Sequence, residues 1–128
     1  MVLDSSALVA MHIGEPGYLD LFDKVARAQT VLVGTPTAFE TAMVLTRKLG
    51  HVPRVEMQRS FERMNVRLVP FSEEHMHVAL DAFLRYGKGW HPAGLNFGDC
   101  MAYAVASVAR LPLLYAGTDF SKTDIQSA

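Results

Sequence analysis

The sequence predicts an α/β protein of three α/β/α layers, in which helices flank a short, mainly parallel central sheet. Two observations predict it. Four short apolar runs, Val2-Leu3, Val31–Val33, Val66–Phe71 and Leu111–Ala116, alternate with helix-length segments, the arrangement that gives parallel strands covered on both faces. The residues just after these runs, Asp4-Ser5-Ser6, Gly34-Thr35-Pro36, Ser72 and Gly117-Thr118-Asp119, are strand stops or helix openers. Each strand therefore hands the chain directly to a turn or a helix.

Bulk properties set limits. A chain of 128 residues, half of them apolar and 20% charged, is long enough to bury a core as a single domain, 1–128. The formal net charge of −1 supplies no global attraction to nucleic acid, so such binding has to rest on local patches. One cysteine, Cys100, permits no intramolecular disulfide and suits a reducing compartment. The N-terminus lacks the basic segment of a signal peptide, and no apolar run is long enough for a membrane span. The expectation is a cytoplasmic protein that binds no membrane.

In chain order, Val2-Leu3 opens as a buried strand and Ser5 or Ser6 caps a helix carrying Ala7, Leu8, Val9 and Met11. Gly14–Gly17 breaks the chain before an amphipathic helix over Tyr18–Ala28, with Leu19, Phe22 and Val25 at helical spacing. After the strand Val31–Val33, Pro36 suits a first helical turn, and Thr37 with Glu40 has capping-box spacing. That helix runs to Gly50, and another covers Arg54–Met64. The run Val66–Phe71 contains one charge, Arg67, and Ser72 starts a helix that reaches Tyr86. The glycine-rich stretch Gly87–Gly94 is the longest break. Asn96 and Asp99 repeat the N-cap to N3 spacing, and the helix through Val108 is apolar nearly all round and so buried. After the strand Leu111–Ala116 comes a short polar tail, in which Asp124-Ile125 offers a stub of edge strand.

The chemistry lies in four acidic residues. Asp4 and Asp119 follow apolar strands, while Glu40 and Asp99 fall in first turns of helices. In a right-handed α/β sheet these positions share one edge, so all four can face one cleft. Read singly, Glu40 and Asp99 are also what a helix N-terminus favours, and Asp119 is an ordinary turn residue. Asp4 is harder to explain that way, because a carboxylate beside a buried strand is costly unless paired or liganded. Clustered carboxylates need raised pKa values or a cation. Oxygen ligands without clustered Cys or His favour Mg²⁺ or Mn²⁺ over zinc. Such sites activate water and stabilise charge on phosphate.

Other residues carry weaker signals. Cys100 reads as a small core residue, and the five histidines show no zinc spacing. Trp90 can stack on a base or pack within the fold. Arg85, Lys88, His91 and Lys122 can meet phosphates at the cleft mouth, although solvated surface charge is the ordinary role of each.

Taken together, Val2-Leu3-Asp4-Ser5-Ser6-Ala7-Leu8, Glu40, Leu95-Asn96-Phe97-Gly98-Asp99-Cys100 and Gly117-Thr118-Asp119-Phe120 make a chain that resembles PIN-domain proteins, and more narrowly the VapC-type toxins of toxin–antitoxin pairs. The resemblance implies a PIN fold and an endoribonuclease dependent on Mg²⁺ or Mn²⁺ that leaves 3′-hydroxyl and 5′-phosphate ends. It implies Asp4, Glu40, Asp99 and Asp119 as the catalytic and metal-binding quartet. Ser6 would orient Asp4, and Asn96 and Thr118 would support their acidic neighbours. The implied partners are RNA, a second copy of the chain and a VapB-type antitoxin, with DNA reached only through that antitoxin. The alternative is a catalytically silent PIN module that binds or regulates.

Overall fold

The computed structural model describes residues 1–128. The elements in order are β1 (Val2–Leu3), α1 (Ser5–Ile13), α2 (Tyr18–Arg27), β2 (Val31–Gly34), α3 (Thr35–Leu49), α4 (Arg54–Arg63), β3 (Val66–Val69), α5 (Glu73–Tyr86), α6 (Phe97–Ala109) and β4 (Leu113–Leu114). The four strands form one parallel sheet in the order β3-β2-β1-β4. Val2 stands opposite Leu32 on one side and Leu113 on the other.

Alternation along the strands divides the core. Val2, Leu32 and Leu113 face α5 and α6, where they join Ala82, Tyr103, Val105 and Phe120. Their neighbours Leu3, Val31, Val33 and Leu114 face α1 and α2, joining Leu8, Met11 and Val25. Two covered faces make the predicted α/β/α sandwich, and Cys100 is a free thiol buried in the first of them. The edge strand β3 is the exception, since Arg67 and Leu68 are exposed. No helix is long and apolar enough to cross a membrane.

Several local expectations change. α1 is capped by Asp4 rather than by Ser5 or Ser6. Thr37 and Glu40 form no capping box: Gly34 is the N-cap of α3, and the Thr37 hydroxyl is buried without a partner. The helix begins as soon as β2 ends, so Thr37 already lies inside its first turn. The strands are also shorter than their apolar runs, because β3 stops at Val69 before Pro70 and β4 keeps only two residues after Pro112. The edge stub falls at Ser127 rather than at Asp124-Ile125, as a single parallel bridge to Leu113. There the Leu113 amide donates to the Gln126 carbonyl at 2.8 Å and the Ala128 amide to the Leu113 carbonyl at 3.0 Å.

Two helical leucines test this account of the core. Leu8 on α1 is fully buried, whereas Leu19 on α2 is 63% exposed. Leu8→Ala is expected to cost about 2–5 kcal/mol in urea unfolding. Leu19→Ala is expected to stay within about 0.5 kcal/mol.

Candidate active site

The chain turns toward β2 after β1 but returns to the opposite side of β1 as β4. The carboxyl ends of β1 and β4 therefore flank the switch point of the sheet, where open α/β folds form their crevice. Asp4 leaves β1 at this point. Its amide donates to the Leu114 carbonyl of β4 at 2.9 Å, and its residue is 2% exposed. Oδ2 accepts from the Ser6 amide at 2.9 Å and from the Ser6 hydroxyl at 2.6 Å. The Ser6 oxygen in turn accepts from the Ala116 amide at 3.0 Å. One serine thus ties the Asp4 side chain to the exit of β4, while Asp4 Oδ1 is buried and has no partner.

Glu40 lies one turn into α3, half-buried, with Oε2 buried and unpartnered. Its carboxylate rests directly over the α-carbon of Gly98, where any β-carbon would collide with it. Gly98 precedes Asp99, so this contact brings α3 against the N-terminus of α6. Asp99 and Asn96 form a reciprocal capping box: the Asn96 amide donates to Asp99 Oδ2 at 2.8 Å, and the Asp99 amide to Asn96 Oδ1 at 3.0 Å. The cap fixes one Asp99 oxygen and leaves the other available.

Asp119 is exposed, on the turn that follows β4. Thr118 beside it contributes its carbonyl, which accepts from the Ser121 amide at 3.0 Å and the Ser121 hydroxyl at 2.6 Å, rather than its side chain. Phe120, 2% exposed, anchors the next position in the core.

Asp4, Glu40 and Asp99 have raised pKa values. Burial is the main cause that raises the Asp4 pKa; Asp119 adds to it, and the Ser6 and Ser5 hydrogen bonds oppose it. Burial also raises Glu40, with Asp4 adding and the Ser5 hydroxyl opposing. Asp99 is pushed up to about 6, first by burial and then by Asp4, Asp119 and Glu40, against the Asn96 bond. No three acidic, histidine or cysteine side chains close into a ready-made metal shell, as mutual repulsion favours. The donor set nevertheless fits a hard divalent cation. It is all carboxylate, and two of its oxygens, Asp4 Oδ1 and Glu40 Oε2, are buried without a hydrogen-bond donor, an arrangement that costs free energy until something positive meets them.

Ser5 and Gly98 lie within the motifs around Asp4 and Asp99, but the sequence assigns neither of them a part at Glu40. That part has no local signal, because it comes from Glu40, which is distant along the chain. Other candidates are engaged with neighbouring residues or lie in solvent. Arg85 is committed to Asp124 at 3.0 Å and to the Tyr86 hydroxyl at 2.8 Å, so it is not free to meet a phosphate. Trp90 lies edge-on to Phe83 and donates to the Leu84 carbonyl at 3.1 Å. His91 sits against the Tyr86 ring, and Lys88 and Lys122 are exposed. The largest cavity, about 750 Å³, is an apolar groove between α3, α4 and β3 that contains none of the four carboxylates.

Three comparisons relate the chain to known proteins. The PIN domain family model matches residues 1–126. Ribonuclease VapC36 of Mycobacterium tuberculosis is 41% identical over 127 residues, covering 98% of this chain and 91% of that relative. Among solved structures, Mycobacterium tuberculosis VapC20, described as a sarcin-ricin loop cleaving toxin, superposes with a TM-score of 0.79 at 18% identity, covering 99% of this chain and 97% of that one. A toxin–antitoxin complex from Klebsiella pneumoniae gives 0.70 at 19% identity, covering 96% and 92%.

The raised carboxylates set a pH dependence for the metal-free protein. Asp99 holds its proton up to about pH 6 when folded, but releases it near its ordinary value when unfolded. Its contribution to stability is therefore greatest below about pH 4 and is lost as pH rises through 6. In EDTA, the melting temperature of Asp99→Asn relative to wild type is expected to climb by roughly 4 °C between pH 4 and pH 7. A constant difference across that range would contradict the assignment.

Proposed function

The chain belongs to the PIN-domain family and, through its 41% identical relative, to the VapC ribonucleases within it; from that premise we propose that it is an endoribonuclease dependent on Mg²⁺ or Mn²⁺. The observation that carries this reading is Asp4. Its carboxylate is buried at the switch point with one oxygen tied down and the other unpartnered, and it raises the pKa of both Glu40 and Asp99.

Asp4, Glu40 and Asp99 would hold the cation, with Asp119 at the open rim. When bound, the cation supplies charge stabilisation at a phosphate oxygen and a more acidic water. The protein's own part is to hold these side chains in place. Ser6 fixes Asp4 Oδ2 and leaves Oδ1 free; the Asn96 amide does the same for Asp99; Gly98 leaves the space in which the Glu40 carboxylate lies. Preorganised charge of this kind needs no rearrangement when the phosphodiester arrives.

Two apolar surfaces, and the toxin–antitoxin complex among the chain's structural neighbours, suit two protein partners. A VapB-type antitoxin would neutralise the enzyme and link it to DNA, and the large apolar groove past Met43, Val52 and Phe61 offers such a protein a surface. A second copy would cover the separate apolar face formed by Met76, Leu80, Phe83, Phe97 and Met101, where Phe97 is 78% exposed.

The test is cleavage of total RNA by purified protein with Mg²⁺, Mn²⁺ or EDTA. Wild type is expected to cut only with the metal. Asp4→Asn is expected to lose more than about 100-fold, beyond the loss typical of an outer partner of a metal ligand, while its melting temperature is retained. Full cleavage by the variant, or metal-independent cleavage by wild type, would remove Asp4 and the cation from the reaction. No cleavage under any condition would favour the silent PIN module.

A further inference from the structure

Asp119 is the one member of the quartet that no element holds directly. It sits between β4 and a C-terminal strap, residues 119–126, whose fastenings are specific. Gly117, at φ +88°, starts the turn. Phe120 enters the core and lies 5.1 Å from the Tyr115 ring. The Thr123 amide and hydroxyl both donate to the Phe120 carbonyl, at 3.1 and 2.8 Å. Asp124 then binds two helices. Its Oδ1 accepts from the Tyr103 hydroxyl of α6 at 2.6 Å, and its Oδ2 accepts from Arg85 of α5 at 3.0 Å. Arg85 is itself oriented by the Tyr86 hydroxyl at 2.8 Å, with its guanidinium 4.8 Å from the centre of that ring.

Tyr103 is four residues after Asp99 on the same helix, so the two share one face of α6. The Tyr103–Asp124 bond therefore joins the helix that carries Asp99 to the strap that carries Asp119. Two carboxylates that repel each other across a cleft tend to move apart, and the exposed one on a turn moves more easily. A short hydrogen bond to a charged acceptor, from a tyrosine whose residue is 6% exposed, opposes that movement.

We infer that Tyr103, Asp124 and Arg85 form a latch that sets the position of Asp119 relative to Asp99, and so the cation affinity of the cleft. They are positioning residues and touch neither cation nor RNA. The inference rests on the ribonuclease reading and deepens it.

Mn²⁺ binding, measured by titration calorimetry, tests it in wild type, Tyr103→Phe and Asp124→Asn. Val25→Ala, in the opposite core layer, serves as a control with its own loss of stability. Tyr103→Phe and Asp124→Asn are expected to weaken Mn²⁺ binding about tenfold, with a matching rise in the Mn²⁺ concentration needed for half-maximal cleavage. Val25→Ala is expected to bind as wild type does at a comparable loss of melting temperature. If Tyr103→Phe fails to fold, Asp124→Asn, whose side chain is 51% exposed, carries the test alone. Unchanged Mn²⁺ binding in a folded latch variant would overturn the latch while leaving the ribonuclease reading intact. Absence of Mn²⁺ binding and cleavage in wild type would defeat the ribonuclease reading and the latch with it.

Discussion

A carboxylate buried at the end of the first strand is the constraint on which the rest of the structure depends. Taking Asp4 out of water is unfavourable by several kcal/mol unless its charge is met, and the surrounding fold meets half of it. The Ser6 amide and hydroxyl satisfy Oδ2, which makes Asp4 the N-cap of α1 and fixes the direction in which that helix leaves the sheet. The same hydroxyl accepts from Ala116, so the exit of β4 is set by the residue that orients Asp4. The Asp4 amide closes the arrangement on Leu114. Strand, helix cap and neighbouring strand share one small network, and what it leaves over is a single unpartnered oxygen.

The remaining carboxylates reach that oxygen's surroundings by different routes. Glu40 is carried by α3, whose approach to α6 is close because position 98 has no side chain. Asp99 is held by the cap it shares with Asn96. Asp119 depends on the turn after β4 and on the strap fastened at Asp124. Four segments distant in sequence thus bring like charge to one sheet edge, where burial first and repulsion second raise the pKa of Asp4, Glu40 and Asp99. Folding supplies the work of gathering them. A cation that bound there would meet charge already held in place by a rigid scaffold.

Much of the fold was legible because strand alternation and helix periodicity are local. Val2-Leu3, Val31–Val33 and the apolar segment Cys100–Val108 declare their burial through residue type alone, and the spacing of Asn96 and Asp99 declares a cap. Thr37 and Glu40 have the same spacing and form none, because β2 runs without a gap into α3 and places the cap at Gly34. Strand lengths were less legible, since Pro70 and Pro112 interrupt the ladder within otherwise apolar runs. At the site, the acidic residues were visible and their supports only in part. Ser6 lies beside Asp4 in sequence, but Ser5 and Gly98 act on Glu40 across the fold, and Tyr103 acts through Asp124, 21 residues further on. Arg85 shows the reverse error. It reads as a free cation and is in fact spent on the strap.

In the reading proposed above, the four side chains surround one place where a divalent cation would bind. The most direct measurement is an anomalous difference map from crystals of the protein soaked in Mn²⁺. The account predicts a peak at direct coordination distance from Asp4 Oδ1 and from the Asp99 carboxylate, with Glu40 turned toward it. A well-occupied peak elsewhere on the protein and none between Asp4 and Asp99 would contradict it.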